Sequence, residues 1–167
     1  LIFENVRVPK ENLLGGEGQG FKICMATLDS GRITVATQGL GIAQGALDEA
    51  VKYVKERVQF GKPIAKLQNT QFEIADTRVE CGRQLVYNAA RLKDAGQPYS
   101  KNAAMAKYYC GDLCNNIAYR SLQLHGGYGY MKDYPIERMF RDARLVAIYE
   151  GTSEIQRVVI ANHILGK

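Results

Sequence analysis

The stretch GRITVATQGLGIAQGALDEAVKYVKERV, residues 31–58, decides the fold class of this chain. Its apolar side chains recur every three or four positions, which is the spacing of one face of an α-helix. These residues are Ala36, Leu40, Ala43, Leu47, Val51, Val54 and Val58. The pattern predicts a helix from about Phe21 to Val58. We expect Gly61 and Pro63 to end it, because glycine caps helix C-termini and proline cannot continue a helix.

Further segments also have apolar residues at helical spacing. The second predicted helix carries Phe72, Ala75, Val79, Gly82, Val86 and Ala89 or Ala90. The third begins at Ser100, which we expect to cap it, and it carries Ala106, Cys110, Leu113, Ile117 and Leu124. The last carries Ile155, Val158, Ala161 and Leu165, with Gly166 after its end. A short extra helix is expected over residues 136–140, with Pro135 in its first turn.

Each predicted helix has one apolar face, and that face must be buried against another helix. The economical arrangement is an all-α fold, an up-and-down four-helix bundle with the short extra helix. The opening residues LIFENVRVPKENLLG, 1–15, are predicted to be the N-terminal remnant of a strand followed by a proline-containing turn. No other segment is predicted to pair with this strand, so we expect the chain to be a fragment of a longer protein.

The composition is that of a folded domain, because 46% of the 167 residues are hydrophobic and 23% are charged. Neither an apolar run long enough to cross a membrane nor a secretory signal pattern is present. The net charge of +5 comes from lysines and arginines scattered among acidic residues. This is typical of a solvated surface and argues against nucleic acid as a partner.

The cysteines and histidines do not have the spacing of a metal site, so we expect no metal. The cysteines are Cys24, Cys81, Cys110 and Cys114. The last two share a face of the third predicted helix, since they are four residues apart. We expect four buried, reduced cysteines, which favours an intracellular protein over a disulfide-stabilised one.

One acidic residue, Glu150, stands between an apolar run and the last predicted helix, in IYEGTSEIQR, residues 148–157. In one interpretation it is a surface carboxylate that the free N–H groups of the helix N-terminus stabilise. In the other it is a general base, because apolar residues before it and Gly151 after it could place the carboxylate in a water-poor cleft. Thr152 and Ser153 then offer hydroxyls and N–H groups to a polar or anionic ligand.

Three other motifs also have more than one interpretation. HGGYGY, residues 125–130, is either a helix end with a turn or a place where the backbone approaches a ligand closely. Arg57 is either a surface residue that complements the helix dipole or a fork for a phosphate. GLGIAQG, residues 39–45, misses the spacing of a dinucleotide-binding loop and lies within a predicted helix, so we interpret it as close helix packing.

Four stretches together resemble the acyl-CoA dehydrogenases. They are LDSGRITVATQGLGIAQGALDEA (28–50), ERVQFGKPIAKLQ (56–68), LQLHGGYGY (122–130) and IYEGTSEIQR (148–157), in the order and at the spacing of that family. The resemblance runs from about Val6 to the C-terminus. It implies that residues 18–167 are the C-terminal helical bundle domain of that family, and that residues 1–17 are the end of the middle β-domain and a linker.

The resemblance implies an FAD-dependent enzyme that oxidises an acyl-CoA thioester to the trans-2-enoyl-CoA. Glu150 matches the general base, which removes the α-proton while the β-hydride passes to flavin N5, and its backbone N–H would polarise the thioester carbonyl. Isovaleryl and long-chain relatives carry the base at the place of Gly31 instead. LDSGRI, residues 28–33, is most similar to short-chain, butyryl-type members, while HGGYGYMKDYPIER, residues 125–138, is also similar to branched-chain members. We expect a short, straight acyl chain. The alternatives are a non-catalytic helical assembly module and an acyl-CoA oxidase.

The resemblance also assigns cofactor and substrate contacts to this sequence. Contacts with the FAD of a neighbouring subunit fall on Arg57, at the pyrophosphate, and on Val58, Gln59, Phe60, Leu67, Gln68, Gln123, Leu124, His125, Gly126 and Gly127. Contacts with the FAD of the same subunit fall on Thr152, Ser153 and Glu154. Many relatives carry glutamine in place of Glu154. The acyl-CoA segment is Asp29, Ser30, Gly31 and Arg32, and Gly151 borders the thioester.

The implied partners are an acyl-CoA substrate, an electron-transferring flavoprotein and further copies of the chain, in a homotetramer built as a dimer of dimers. The implied setting is fatty acid β-oxidation in the bacterial cytoplasm or the mitochondrial matrix. Most of the flavin and substrate walls would lie outside these 167 residues. The chain alone is therefore expected to fold and to oligomerise, but to bind FAD poorly and to be inactive.

Overall fold

The computed structural model describes residues 1–166 as an all-α fold, which confirms the predicted fold class. The α-helices are α1 (Gly20–Glu56), α2 (Gln68–Ala75), α3 (Val79–Asp94), α4 (Ser100–His125), α5 (Ile136–Val146) and α6 (Ser153–Leu165). Two very short strands, β1 (Val58–Gln59) and β2 (Lys62–Pro63), pair antiparallel after α1. Single 3-10 turns lie at Lys10–Asn12, Ile64–Lys66 and Gly126–Tyr130.

The bundle is organised around α4, which packs against α1, α3, α5 and α6. Because α1 also contacts α3 and α5, these four helices form the core, and α6 packs mainly on α4. The backbones of α1 and α4 come very close at Gly39, where an added Cβ would lie 3.1 Å from the carbonyl oxygen of Cys110. Close helix packing, the interpretation of GLGIAQG, is therefore correct at Gly39. A larger side chain there would push the two longest helices apart.

The end of α1 differs from the prediction. The helix stops at Glu56, and Arg57 is already extended. Phe60 (φ +53°) and Gly61 (φ +73°) form the turn between β1 and β2. Two successive positive φ values are what a two-residue hairpin turn requires. Gly61 therefore belongs to the turn of a hairpin. The expectation that it caps α1 is wrong.

The second predicted helix is in fact two helices, because the chain turns at Arg78, which has φ +49°. Arg78 pairs with Asp76 at 2.9 Å. From α4, Arg120 pairs with Glu73 at 3.3 Å and with Asp76 at 3.0 Å. The apolar spacing continues across this break, so periodicity alone could not reveal it. The side chain of Phe72, placed on the predicted apolar stripe, is 61% exposed.

Two expectations about helix and strand ends are wrong. Residues 1–14 contain only the 3-10 turn at Lys10–Asn12, and no strand lies in this segment. A strand needs a partner, and the rest of the described chain offers none to it. Ser100 is the first residue of α4 rather than its cap, which is Tyr99. Its hydroxyl donates instead to Asp29 Oδ1 of α1 at 3.0 Å.

The last two helices also depart from the pattern in part. α5 continues well beyond residue 140 to Val146. Pro135 is its N-cap, whereas the prediction placed Pro135 within the first turn. Gly166 follows the end of α6, as predicted, and it takes a left-handed conformation (φ +67°). The apolar residues Ile155, Val158 and Leu165 of α6 are exposed. No helix within residues 1–166 has the length and apolar character needed to cross a bilayer.

The cysteines divide into two classes, so the expectation that all four are buried is only half correct. Cys110 and Cys114 lie completely buried in α4, whereas Cys24 and Cys81 are exposed. Burial raises the pKa of each of the two α4 thiols to about 12, because the interior disfavours a thiolate. The core thiols therefore behave as small apolar side chains.

Candidate active site

Residues 147–152, which join α5 to α6, form a tight turn with an unusual backbone. Glu150 has φ +55° and Gly151 has φ +85°. A positive φ is easy for glycine but uncommon for glutamate. The Ser153 N–H donates to the Ala147 carbonyl at 3.2 Å and closes the turn. We call this segment the Glu150 turn.

The carboxylate of Glu150 lies directly above Gly31 of α1. A Cβ added to Gly31 would be only 2.6 Å from Glu150 Oε2, so the carboxylate occupies space that any side chain at position 31 would need. Oε2 is buried, and no group of the described chain donates a hydrogen bond to it. The interpretation of Glu150 as a simple surface carboxylate therefore does not fit its surroundings.

Two buried side chains, which the sequence analysis did not single out, hold the Glu150 turn by its backbone. Lys107 of α4 is completely buried, and its Nζ donates to the Gly151 carbonyl at 2.6 Å. Gln156 of α6 donates through Nε2 to the Glu150 carbonyl at 3.1 Å and to the Gly151 carbonyl at 2.9 Å. The signal in the sequence was Lys107 itself, which falls in register with the buried residues Ala103, Cys110 and Cys114.

The predicted acyl-CoA segment lies on α1 next to the turn. Arg32 is only 6% exposed and pairs with Asp29 at 2.5 Å, while the Ser30 hydroxyl shares a hydrogen bond of 3.0 Å with that of Tyr99. Asp29 and Arg32 also line an open cavity of about 460 Å³ beside Ser100 and His163. Arg32 is thus held by its own chain, and only part of its guanidinium is free for a ligand.

The residues after the Glu150 turn begin α6. Thr152 is the N-cap of α6, and its Oγ1 accepts a long bond of 3.5 Å from the Ile155 N–H. Ser153 is buried and its hydroxyl has no partner in the described chain. Glu154 points to the surface, 3.8 Å from Arg157. Hydrogen bonds from the backbone and from Thr152 lower the pKa of the Glu154 carboxyl.

A second site lies at the far end of α1, where the chain brings together two segments that the sequence analysis had selected separately. A cavity of about 500 Å³ is lined by Tyr53, Arg57, Gln59, Ile64, Gln123, Leu124, His125, Gly126, Gly127, Tyr128 and Met131. We call it the Arg57 pocket. The Arg57 guanidinium lies 5.3 Å from the ring centre of Tyr128, within the range of a cation–π contact.

The floor of the Arg57 pocket is the imidazole of His125, at the end of α4. It stacks on Tyr53 with ring centres 4.2 Å apart, and Nδ1 lies 2.7 Å from the Ser121 carbonyl. A carbonyl only accepts, so in the neutral ring Nδ1 carries the hydrogen and Nε2 is an acceptor. Nε2 is buried and has no partner in the described chain. HGGYGY therefore ends the helix, with Gly126 as C-cap, and also lines a cavity.

The remaining predicted cofactor residues lie around this pocket. Leu67 lines an adjoining cavity of about 590 Å³ that shares Ile64, Gln123 and Leu124 with the Arg57 pocket, and Gln68 begins α2 beside it. Val58 and Phe60 project from the β1–β2 hairpin and are 54% and 88% exposed. The hairpin therefore presents two apolar side chains to solvent.

Buried polar atoms without partners concentrate at these two places. Within residues 1–166 they are Arg32 Nε, Glu150 Oε2, Ser153 Oγ and Gln156 Oε1 around the Glu150 turn, and His125 Nε2 in the Arg57 pocket. Proteins seldom leave buried polar atoms unpaired, so both places fit polar ligand groups. Residues 1–166 contain no cluster of histidine, cysteine and carboxylate side chains suited to a metal ion.

The fold and site define an all-α bundle domain with a half-buried carboxylate at the joint between its last two helices. The chain belongs to the acyl-CoA dehydrogenase family, since the model of the acyl-CoA dehydrogenase C-terminal domain matches residues 18–165. It is 57% identical to acryloyl-CoA reductase (NADH) of Anaerotignum propionicum, over 99% of this chain and 42% of that protein. It is 54% identical to the mitochondrial short-chain specific acyl-CoA dehydrogenase of Rattus norvegicus, over 99% of this chain and 40% of that protein.

The structural comparison agrees with the sequence comparison. The fold superposes on butyryl-CoA dehydrogenase from Megasphaera elsdenii with a TM-score of 0.97 at 49% identity, covering 98% of this chain and 43% of that one. The chain therefore spans less than half the length of the relatives that it matches. The predicted family and fold are confirmed.

Proposed function

We propose that this chain is the C-terminal part of an FAD-dependent acyl-CoA dehydrogenase that converts a short, straight acyl-CoA to the trans-2-enoyl-CoA. The observation that carries the proposal is the Glu150 carboxylate, which is aimed over Gly31 with its Oε2 buried and unpaired within the described chain. Bound FAD would accept the β-hydride. A carboxylate that loses water when an apolar substrate binds becomes a stronger base, because desolvation disfavours its charged form.

In this proposal Glu150 has two tasks. Its carboxylate takes the α-proton of the acyl chain. Its backbone N–H finds no acceptor within residues 1–166, and it would donate to the thioester carbonyl, where negative charge develops as the proton leaves. Gly151 borders the thioester, and Asp29, Ser30, Gly31 and Arg32 form the wall on α1. Only part of the Arg32 guanidinium is paired with Asp29. The rest would attract the negatively charged CoA part of the substrate.

The Arg57 pocket is suited to part of an FAD molecule. Arg57 would pair with the pyrophosphate as a charge-assisted donor, while His125 Nε2 would accept from an amino or hydroxyl group. Gln59, Leu67, Gln68, Gln123, Leu124, Gly126 and Gly127 would complete this contact. The exposure of Val58 and Phe60 supports a site that a second subunit covers, in a homo-oligomer built as a dimer of dimers.

Other parts of the proposal rest on family membership. Thr152, Ser153 and Glu154 would contact the FAD of their own subunit. Residues 1–17 would be the end of a β-domain and its linker. The electron acceptor would be an electron-transferring flavoprotein, and the setting would be bacterial cytoplasm or mitochondrial matrix. The 167-residue chain alone would be inactive.

The reverse reaction is a second candidate function, because a relative that is 57% identical is named acryloyl-CoA reductase. The same arrangement would then work with Glu150 as the acid that protonates the α-carbon of an enoyl-CoA. By microscopic reversibility one residue serves in both directions. Mixing the reduced full-length flavoprotein with acryloyl-CoA and following flavin reoxidation measures this direction.

The proposal is tested by Glu150→Gln in the full-length flavoprotein that contains this chain. Butyryl-CoA is mixed anaerobically with each protein, and the bleaching of the flavin absorbance is followed. We expect the rate to fall about a hundredfold or more, the effect of losing a general base, with flavin content unchanged. If the variant bleaches as fast as the parent, the base lies elsewhere. If the parent binds no flavin, the non-catalytic assembly module is the better description of the protein.

A further inference from the structure

Lys107 is a buried amine for which the proposed reaction provides no role. It lies in the middle of α4, completely buried, among the alanines and cysteines of the helix face that packs into the core. A lysine is rarely buried in this way unless its ammonium group has a specific partner. The group that binds the buried ammonium therefore indicates the role of Lys107.

The partner of Lys107 is a backbone carbonyl and not a carboxylate. Nζ donates to the Gly151 carbonyl at 2.6 Å, and within the described chain it makes no hydrogen bond to Glu150 or Asp112. These two carboxylates raise the pKa of Lys107, but burial, followed by the charge of Arg32, lowers it overall. Lys107 is thus placed to fix the position of a peptide group rather than to neutralise an acid.

A second donor acts on the same peptide groups. Gln156 Nε2 donates to the carbonyls of both Glu150 and Gly151, so the Gly151 carbonyl receives hydrogen bonds from Lys107 on α4 and from Gln156 on α6. An added Cβ at Gly151 would lie 2.8 Å from Gln156 Nε2. The amide therefore approaches as close as a glycine allows.

These contacts act where the backbone is least favourable. Glu150 and Gly151 both have positive φ, a region that glutamate populates rarely. Such a conformation persists only when its surroundings determine it. Anchoring the two carbonyls fixes the peptide planes, and the planes fix the direction in which the Glu150 side chain leaves the backbone.

We propose that Lys107 and Gln156 are positioning residues, which clamp the Glu150 turn from two helices so that the carboxylate stays above Gly31 and the Glu150 N–H stays free. The role in catalysis rests on the proposed function of Glu150. The role in fixing the turn does not, and it can be measured without any turnover. Neither residue touches the reacting atoms in this arrangement.

The test uses the full-length flavoprotein with Lys107→Met, Gln156→Met and the double variant. Methionine matches the length of glutamine, is one atom shorter than lysine and suits an apolar site, but it cannot donate. Lys93→Met, at an exposed position near the end of α3, is the matched control. Hydrogen exchange is followed in peptides that cover residues 147–156 and, as an internal reference, in peptides from the buried half of α1.

We expect amide exchange in the Glu150 turn to become at least tenfold faster in each variant, while exchange in α1 is unchanged. The rate of flavin bleaching at saturating butyryl-CoA should fall about tenfold or more, with substrate affinity altered less than about threefold, since misplacement of a reacting group affects the chemical step more than binding. The double variant should lose less than the product of the single losses, because both donors serve one carbonyl.

The two proposals can fail separately. Turn exchange equal to that of Lys93→Met in both single variants overturns the clamp, whatever the rates. Faster exchange with unchanged bleaching shows that the turn loosens without moving the base, and it also overturns the positioning role. If the parent protein reduces no flavin, the dehydrogenase proposal fails, and the exchange data alone still decide whether Lys107 and Gln156 hold the turn.

Discussion

The Glu150 turn and the Arg57 pocket are built in opposite ways. The turn is enclosed by its own chain: Lys107 from α4 and Gln156 from α6 bind its carbonyls, and Gly31 of α1 lies under its carboxylate. The pocket has a firm floor, where His125 stacks on Tyr53, and the exposed Phe60 projects from the adjoining β1–β2 hairpin. One region is held by groups of its own chain, and the other lies beside exposed apolar side chains.

This difference matches two separate tasks in the proposed function, which are orienting the carboxylate and binding the cofactor. A carboxylate that acts as a base must be held close to its productive geometry, and rigid surroundings provide this. A long cofactor can instead be shared, because its polar ends are bound by separate groups. Experiments that disturb one region should therefore leave the other unaffected, and each of the following variants tests that separation.

The largest effect is expected from Gly31→Ala. The new Cβ would meet Glu150 Oε2 at 2.6 Å, so the carboxylate must move by about an ångström, and a displacement of that size can cost about a hundredfold in rate. The rate of flavin bleaching by butyryl-CoA measures this loss. Flavin content should stay that of the parent, because the Arg57 pocket is untouched.

Gly41→Ala is the control for this variant. Gly41 lies in the same helix, and an added Cβ there meets nothing within 4 Å. Alanine should stabilise the helix at this position by about 0.5–1 kcal/mol, with the bleaching rate unchanged. Equal bleaching rates in Gly31→Ala and the parent would mean that the carboxylate does not need the space above Gly31.

A somewhat smaller effect is expected from Arg57→Ala, now on FAD affinity. A charge-assisted hydrogen bond contributes about 1.5–3 kcal/mol, so FAD should bind roughly tenfold to a hundredfold more weakly. Flavin release during dilution or gel filtration of the full-length protein measures the change. At saturating FAD the bleaching rate should return to near that of the parent, because the Glu150 turn is intact.

Arg91→Ala, at an exposed position on α3, is the matched control and should retain its flavin. A parent-like affinity in Arg57→Ala would contradict the assignment of this pocket to the cofactor. A bleaching rate that stays low at saturating FAD would instead contradict the independence of the two regions.

The last expected effect is on stability rather than on rate or affinity, and it concerns the thiols behind the Glu150 turn. The pKa of Cys110 and of Cys114 is raised from 9.0 to about 12 by burial, so the folded state keeps protons that the unfolded state loses. The stability from this difference is fully present below pH 9 and is lost as the pH rises from about 9 towards 12. The expected slope is about 1.4 kcal/mol per pH unit for each thiol. Denaturant unfolding of the chain, followed by circular dichroism, measures it.

Cys114→Ala should make this alkaline loss of stability shallower, whereas Cys81→Ala, which removes an exposed thiol, should not. A thiol reagent below pH 9 gives an independent reading: Cys24 and Cys81 should react in the folded chain, and Cys110 and Cys114 only after unfolding. Rapid reaction of all four would show that the helices behind the turn open readily.

The all-α class and the buried face of α1 were predictable because apolar periodicity reports burial directly. Both follow from the run that includes Ala36, Leu40 and Ala43, which are all buried. The break at Arg78 was not predictable in this way. It depends on a left-handed residue and on ion pairs to Arg120, which lies on another helix and far away in sequence.

The site was predictable to a different extent. Resemblance to a family selected Glu150, Arg57 and the HGGYGY segment, and the fold brings the last two into one pocket. It did not select Lys107, which lies outside the quoted motifs, or Gln156, which lies within IYEGTSEIQR but received no role, because both act through backbone carbonyls. A charged residue in register with a buried helix face was the available signal, and only three-dimensional contacts reveal what it holds.

Gly31 and Glu150 have a consequence for how related sequences should be read. Gly31 lies in α1 and Glu150 in the turn between α5 and α6, yet they share one volume, and only one of them can fill it with a side chain. In an alignment of relatives, the columns for 31 and 150 should therefore covary: a relative with an acid at the first position should carry a small residue at the second. If the two columns change together, the carboxylate would move between α1 and the Glu150 turn while its oxygen atoms remain near the same point.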